Sequence, residues 1–179
     1  MKREAIIEIR DLVAKYGEKT VLDGISVDIY SGEITVILGG SGCGKTTLLK
    51  NMLRLYEPHS GSVKFCGKEI LGMEEKEYNL VLQQIGMLFQ NGALLNSISV
   101  YDNVSIPLEL HTKLPRHIMD RIIRVKLNLV GLSEAIHKFP SELSGGMKKR
   151  AALARAMALD PMLLFCDEPS AGLDPITSA

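Results

Sequence analysis

Apolar and polar residues alternate around Ile7-Ile9 and again around Val27-Ile29, the period of two expected of half-buried strands. Gly17 and Asp23-Gly24 mark turns between these segments. The next apolar run, Ile34-Thr35-Val36-Ile37-Leu38, is nearly continuous and predicts a buried strand. It ends in a Gly-rich loop, after which a helical pattern continues through Lys50 and Leu53 to Glu57-Pro58. Residues 61–71 return to short strands, and the segment from Ile85 to Phe89 reads as another buried strand. From about residue 97 to residue 160 the period becomes helical. Ile118, Ile122, Val125 and Leu129 predict one apolar face, with Arg116, Arg121, Arg124 and Lys126 projecting elsewhere. A second helix is expected from Ser144 to about Leu159, then a last apolar strand, Leu163-Leu164-Phe165-Cys166, ending at Asp167. Strands alternating with helices predict an α/β fold: a mostly parallel core sheet, an antiparallel β element at the start and a helical insert.

Composition narrows the function classes. The chain has 179 residues, 46% of them apolar and 23% charged, which fits one domain with a real core. Lys plus Arg equal Asp plus Glu at 21 each, so no basic excess points to nucleic acid as a partner. No stretch approaches the roughly 18 to 20 apolar residues needed to cross a bilayer, and Met1-Lys2-Arg3-Glu4-Ala5 lacks the apolar region of a signal peptide. A membrane role therefore has to run through a partner. Cys43, Cys66 and Cys166 are odd in number, with no CxxC pair and no ligand-like spacing to histidine. Reduced, mostly buried thiols of a cytosolic protein are expected.

Three constellations carry chemistry. Gly39-Gly40-Ser41-Gly42-Cys43-Gly44-Lys45-Thr46 satisfies GxxxxGK[ST] between a strand pattern and a helix pattern. Glycines let backbone amides curl around phosphate oxygens, and the following helix adds unpaired N–H groups and the positive end of its dipole. In such a loop Lys45 reaches the β- and γ-phosphates of ATP and Thr46 ligates Mg²⁺, with Thr47 next to them. The second constellation is Asp167-Glu168-Pro169 at the end of an apolar strand. Alone this is equally a solvated turn. Beside a phosphate loop, Asp167 reads as a Mg²⁺ ligand and Glu168 as the base that orients or deprotonates the attacking water. The third is Leu143-Ser144-Gly145-Gly146-Met147, where Ser144 is a natural N-cap and two glycines leave first-turn amides unshielded.

A second anion site in one chain is unusual, and here the sequence resembles the ATP-binding-cassette (ABC) family, whose signature is LSGGQ. Motifs match in order: Gly39 to Thr46, Gln90 after Met87-Leu88-Phe89, Leu143 to Met147, Asp167-Glu168, and Gly172-Leu173-Asp174. Met147 stands where the family has Gln. The resemblance implies a P-loop NTPase (RecA-like) core and a Mg-dependent ATPase. It implies that Tyr16 stacks on adenine, and that Gln90 meets Mg²⁺ or water and relays nucleotide state to a permease. Catalytic roles fall to Glu168, Lys45, Gln90 and Ser144, metal contacts to Thr46, Gln90 and Asp167, and nucleotide contacts to Tyr16, residues 39–47 and Ser144-Gly145-Gly146. Ser144 would act on the ATP of a second copy in a head-to-tail dimer. Within 1–179, the resemblance implies the antiparallel element and P-loop core at 1–95, a helical subdomain at 96–158 and a return to the core at 159–179.

More particular stretches include Gln90-Asn91-Gly92-Ala93-Leu94, Asp102-Asn103-Val104 with Pro107-Leu108, His111-Thr112-Lys113-Leu114-Pro115, and Asp174-Pro175-Ile176-Thr177. With Met in the signature, they look like the ATPases of the Mla, or toluene-tolerance, phospholipid transporters. That branch implies a permease, an MCE-domain lipid-binding protein and a peripheral place on the cytoplasmic face of the inner membrane. His111 reads equally as part of the permease contact or as an exposed loop histidine without a role. Too few residues separate Gln90 from Leu143 for the long coiled coil of chromosome-associated relatives. An importer for another solute, such as an amino acid, would keep the same catalytic core. Complete domains of the family continue well past the acidic pair, adding a core strand and a histidine for the γ-phosphate. The 179 residues are thus expected to be a fragment, with runs 34–38 and 163–166 partly uncovered, and inactive alone.

Overall fold

A computed structural model describes residues 4–169, which fall into two compact units divided between Leu82 and Gln83. The loop Gly172-Leu173-Asp174 lies outside the described residues.

The first unit is built on an antiparallel sheet. Strand β1 (Ala5–Tyr16) turns at Gly17 into β2 (Lys19–Tyr30), while β3 (Ser60–Phe65) and β4 (Lys68–Glu69) extend the other edge, giving the order β2-β1-β3-β4. The inward set on β1 begins as Ile7 and Ile9 and resumes as Leu12 and Ala14, all fully buried. Strict alternation would have turned Leu12 outward. A bulge corrects the phase: the register shifts between Ile9 and Leu12, and Asp11 adopts φ 48° with its N–H donating to Ser26 Oγ at 2.9 Å. The bulge pushes β1 against β3 at Gly61. A Cβ there would lie 2.6 Å from Leu12 Cα and 2.7 Å from the Asp11 oxygen, and Gly61 already has φ 104°. Helices α1 (Lys45–Met52) and α2 (Glu75–Leu82) complete this unit, α1 burying Leu48, Leu49 and Met52.

The run 34–38 departs from the buried strand its composition predicts and matches the expectation that it is partly uncovered. It is neither a strand nor buried: Ile34 is 95% exposed, Val36 68% and Leu38 86%. A strand requires a ladder for its N–H and C=O groups, and no strand among the described residues pairs with this run.

In the second unit, β5 (Ile85–Leu88) and β6 (Leu163–Cys166) pair in parallel. Helices α3 (Val100–His111), α4 (Arg116–Leu129) and α5 (Gly145–Ala156) surround a core that includes Val104, Leu108, Ile123, Leu127, Leu132, Ala151 and Ala154. A capping box starts α3: Ser99 Oγ accepts from the Asp102 amide at 3.1 Å, and the Asp102 carboxylate accepts from the Ser99 amide at 3.3 Å. Small residues let α5 approach its neighbours closely. At Gly86 on β5 a Cβ would meet the Ala156 oxygen at 2.4 Å.

Helix α4 is rotated from the expected face. Val125 and Leu129 are exposed, while Ile123, Leu127 and Lys126 are buried. Apolar residues occupy so much of α4 that two stripes of helical spacing compete, and packing selects the one through Ile123 and Leu127. Lys126 tolerates burial because its ammonium pairs with the Asp160 carboxylate. The cysteines also depart from expectation, for all three are exposed. Cys43 sits in the phosphate loop and Cys66 in the β3–β4 turn at φ 47°. Cys166 is on a strand whose buried residue is Phe165. None of these places offers a covered apolar face. Among the described residues, no helix is long and apolar enough to cross a membrane.

Gly61→Ala sets a new methyl against backbone atoms that have no side-chain freedom to yield. It is expected to cost at least about 2 kcal/mol in urea unfolding of the full-length protein, whereas Gly67→Ala, which meets open space at a similarly strained φ, costs less.

Candidate functional site

The phosphate loop lies in the first unit. Gly42 at φ 77° and Gly44 at φ 101° turn the chain through the left-handed region that glycine tolerates. Gly44 is also confined, since a Cβ would sit 3.0 Å from Leu22 Cδ2 and 3.3 Å from the Val21 oxygen. It caps α1 without a side-chain hydrogen bond, and the first turn of α1 carries no acidic residue. The amino end of α1 therefore keeps its anion-binding character. Lys45 folds back over the loop, its ammonium donating to the carbonyls of Gly39 at 2.8 Å and Gly40 at 2.9 Å, with Cys43 Sγ at 4.0 Å. Thr46 is exposed. Thr47 is buried on the inner side of α1, which leaves its backbone amide as the group it offers a ligand.

Tyr16 ends β1, 45% exposed, with its ring centroid 4.8 Å from that of Tyr56 at an interplanar angle of 40°. The Tyr56 hydroxyl donates to the Lys15 carbonyl. An open cavity of about 680 Å³ adjoins this pair, lined by Lys15, Glu18, Tyr56, Glu57 and His59 among others. Sequence reasoning missed Tyr56 because no local pattern links it to a tyrosine forty positions earlier.

The second unit brings Gln90 and Glu168 together. Parallel register places Leu88 beside Cys166, so residues two positions beyond each strand end emerge side by side. The Gln90 amide Nε2 donates to Glu168 Oε2 at 2.8 Å. The Asp167 amide extends the ladder by donating to the Leu88 carbonyl at 2.9 Å. Glu168 then leaves the strand at φ 48°, an unfavourable conformation for a residue with a side chain. Lys149 on α5 spans this turn, its ammonium donating to the carbonyls of Glu168 at 3.3 Å and Pro169 at 3.1 Å.

Helix α5 begins at Ser144, whose Oγ accepts from the Met147 amide at 3.3 Å. A Cβ on Gly145 would meet nothing within 4 Å, so that first turn is open to a ligand. Met147, in place of a polar residue, packs against the helical core. The chain after Gln90 is held twice more. Arg155 donates from Nη1 to the Ala93 carbonyl and from Nη2 to the Gly92 carbonyl, both at 2.8 Å. Buried Asn103 accepts from the Leu95 amide at 2.8 Å and donates to the Leu95 carbonyl at 3.0 Å. Neither residue stood out as a site candidate by spacing, because each acts on backbone that is remote in sequence or chemically silent.

Comparison with known proteins agrees with this layout. The sequence profile described as ABC transporter matches residues 22–171. The intermembrane phospholipid transport system ATP-binding protein MlaF of Haemophilus influenzae is 46% identical over 96% of this chain and 65% of that protein. A probable ribonucleotide transport ATP-binding protein, mkl, of Mycobacterium leprae is 43% identical over 97% of this chain and 50% of that protein. The chain thus spans between half and just under two thirds of these relatives' length. The solved dimeric ATP-binding cassette MJ0796, in a post-hydrolysis state bound to ADP and Pi, superposes with a TM-score of 0.87 at 27% identity. That match covers 96% of this chain and 78% of the solved one, and it shows the fold to be that of an ABC ATPase with a mixed parallel and antiparallel sheet.

Removing the cap of α5 should be measurable. Ser144→Ala is expected to lower unfolding free energy in urea by about 1 kcal/mol, and Ser144→Asp to restore most of it, since either oxygen accepts the Met147 amide.

Proposed function

The chain belongs to the ABC transporter family, and from that premise we propose that it is the ATP-hydrolysing subunit of a transporter moving phospholipid across the Gram-negative cell envelope. The observation that carries the ATPase reading is the loop 39–45, in which an uncapped helix start, two left-handed glycines and a folded-over lysine converge. In this reading the Lys45 ammonium exchanges the Gly39 and Gly40 carbonyls for β- and γ-phosphate oxygens, while loop amides take the remaining oxygens. Tyr16 supplies the aromatic face for adenine, on the side not occupied by Tyr56.

Metal contacts are assigned in this reading to the Thr46 hydroxyl of the first unit and, in the second, to the Asp167 carboxylate and the Gln90 side-chain carbonyl, all oxygen donors. No group of three or more His, Cys, Asp or Glu that could cage an ion occurs among the described residues. That donor set fits Mg²⁺, which keeps several waters and binds largely through substrate phosphates. When bound, the ion neutralises charge on the phosphoryl oxygens. Glu168 takes the role of base: Gln90 holds one carboxylate oxygen, leaving the other to accept a proton from water. Ser144 and the first-turn amides of α5 serve the γ-phosphate held by a second copy, in a head-to-tail dimer. The dimeric state of the solved cassette supports that arrangement.

The phospholipid branch is supported by the 46% identity to a protein named for intermembrane phospholipid transport. With it come a permease, an MCE-domain lipid-binding protein and a peripheral position on the cytoplasmic face of the inner membrane. A second reading, transport of another solute, has support from the 43% identity to a protein named for ribonucleotide transport. ATPase stimulation by co-purified permease, together with the lipid content of the complex, separates the two. The 179 residues alone are expected to release no phosphate, because the run 34–38 leading into the phosphate loop is neither paired nor covered among the described residues.

In the full-length protein, Lys45→Ala is expected to weaken Mg-ATP binding and bring phosphate release to background. Unchanged turnover would remove the phosphate loop from the mechanism. Glu168→Gln should keep ATP binding while slowing hydrolysis by at least about a hundredfold, the scale of a lost general base. That variant should also collect as an ATP-bound dimer by light scattering, and a monomer at saturating Mg-ATP would contradict the shared site.

A further inference from the structure

Two backbone carbonyls just beyond Gln90 point at one guanidinium. Gly92 and Ala93 both have left-handed backbones, at φ 72° and 50°, which is strained for alanine. Their carbonyls are the acceptors that the Arg155 fork takes at 2.8 Å each, a bidentate geometry that a point cation cannot reproduce. The same turn sits directly on α5: a Cβ on Gly92 would come within 3.2 Å of Ala152 Cβ. Burial lowers the Arg155 pKa from its ordinary value, a sign that the guanidinium is set into protein rather than solvent. At the other end of the same turn, Gln90 reaches the Glu168 carboxylate.

We propose that Arg155 is a positioning residue for hydrolysis, a latch that fastens the Gln90 turn to helix α5 so that Gln90 keeps Glu168 aimed. The helix that starts at Ser144 and the amide that holds the base then move as one piece. A displacement of α5, when its first turn engages the ATP of the second copy, reaches Glu168 through Gly92, Ala93 and Gln90. Lys149, also on α5, holds the Glu168 turn from its carbonyl side, so the helix grips both partners of the Gln90–Glu168 bond.

This inference rests on the proposed roles of Gln90 and Glu168, and a double-mutant cycle in the full-length protein tests it separately from them. Gln90→Ala alone must slow turnover; if it does not, the roles themselves fail. Arg155→Gln is expected to lower kcat by about tenfold with Mg-ATP affinity within about twofold of the parent, and Arg155→Lys to fall between. Combined with Gln90→Ala, either Arg155 change should add no further loss, because the latch acts through the residue already removed. The Lys variant keeps charge and stem, so it decides the question if the Gln variant does not fold. Overturning results are losses that multiply in the double variant, or a Lys variant with parental turnover per folded molecule. A loss expressed wholly in KM would overturn it as well.

Discussion

Parallel pairing of β5 with β6, in the register that sets Leu88 beside Cys166, is the constraint on which the geometry of the second unit depends. Equal offsets from two strand ends bring Gln90 to Glu168 without any further device. A slip of one residue would turn every side chain of β6 to the other face and take Asp167 and Glu168 with it. Helix α5 reinforces the register by resting on Gly86, where only a hydrogen fits beneath the Ala156 carbonyl. Its small residues Ala151, Ala152 and Ala154 then let the helical core close around it. The Gln90–Glu168 geometry and the packing are therefore consequences of one pairing.

The phosphate loop follows a different logic, that of a helix start kept deliberately incomplete. A capping side chain can satisfy a helix's first amides, as Ser99 does for α3 and Ser144 for α5, while α4 after Pro115 has none. Gly44 leaves α1 without one, and no acidic residue in the first turn competes for the dipole. Glycine in place of a capping side chain surrenders only roughly a few tenths of a kcal/mol, and it leaves the first amides open for the proposed anion. Elsewhere the first unit is tightly specified. The Asp11 bulge restores the inward phase of β1, and Gly61 admits the resulting approach of backbone to backbone.

Local features were legible in the sequence. The GxxxxGK[ST] loop, the Ser144 cap and Asp167-Glu168 are each defined within a few residues, whereas Gln90 is identified only by the family resemblance. What was not legible depends on partners distant along the chain. The face of α4 was misread because Val125 and Leu129 are as apolar as Ile123 and Leu127, and Lys126 shows no local sign of its carboxylate at Asp160. The run 34–38 has the composition of a buried strand, but composition says nothing about whether a neighbour pairs with it. Tyr56, Lys149 and Arg155 act on Tyr16, Glu168 and the Gly92-Ala93 turn through contacts that no periodicity announces.

In the proposed binding mode, nucleotide phosphate is held chiefly by backbone amides of one loop and by a lysine released from its own carbonyls. Amide ¹⁵N–¹H spectra of the full-length protein, titrated with Mg-ATP and separately with adenosine, read that contact directly. Mg-ATP should shift the resonances of Gly42, Gly44, Lys45 and Thr46 strongly as their N–H groups take up phosphate oxygens, while adenosine leaves them in place. Resonances of 42–46 that stay unmoved at saturating Mg-ATP would contradict the account at its centre.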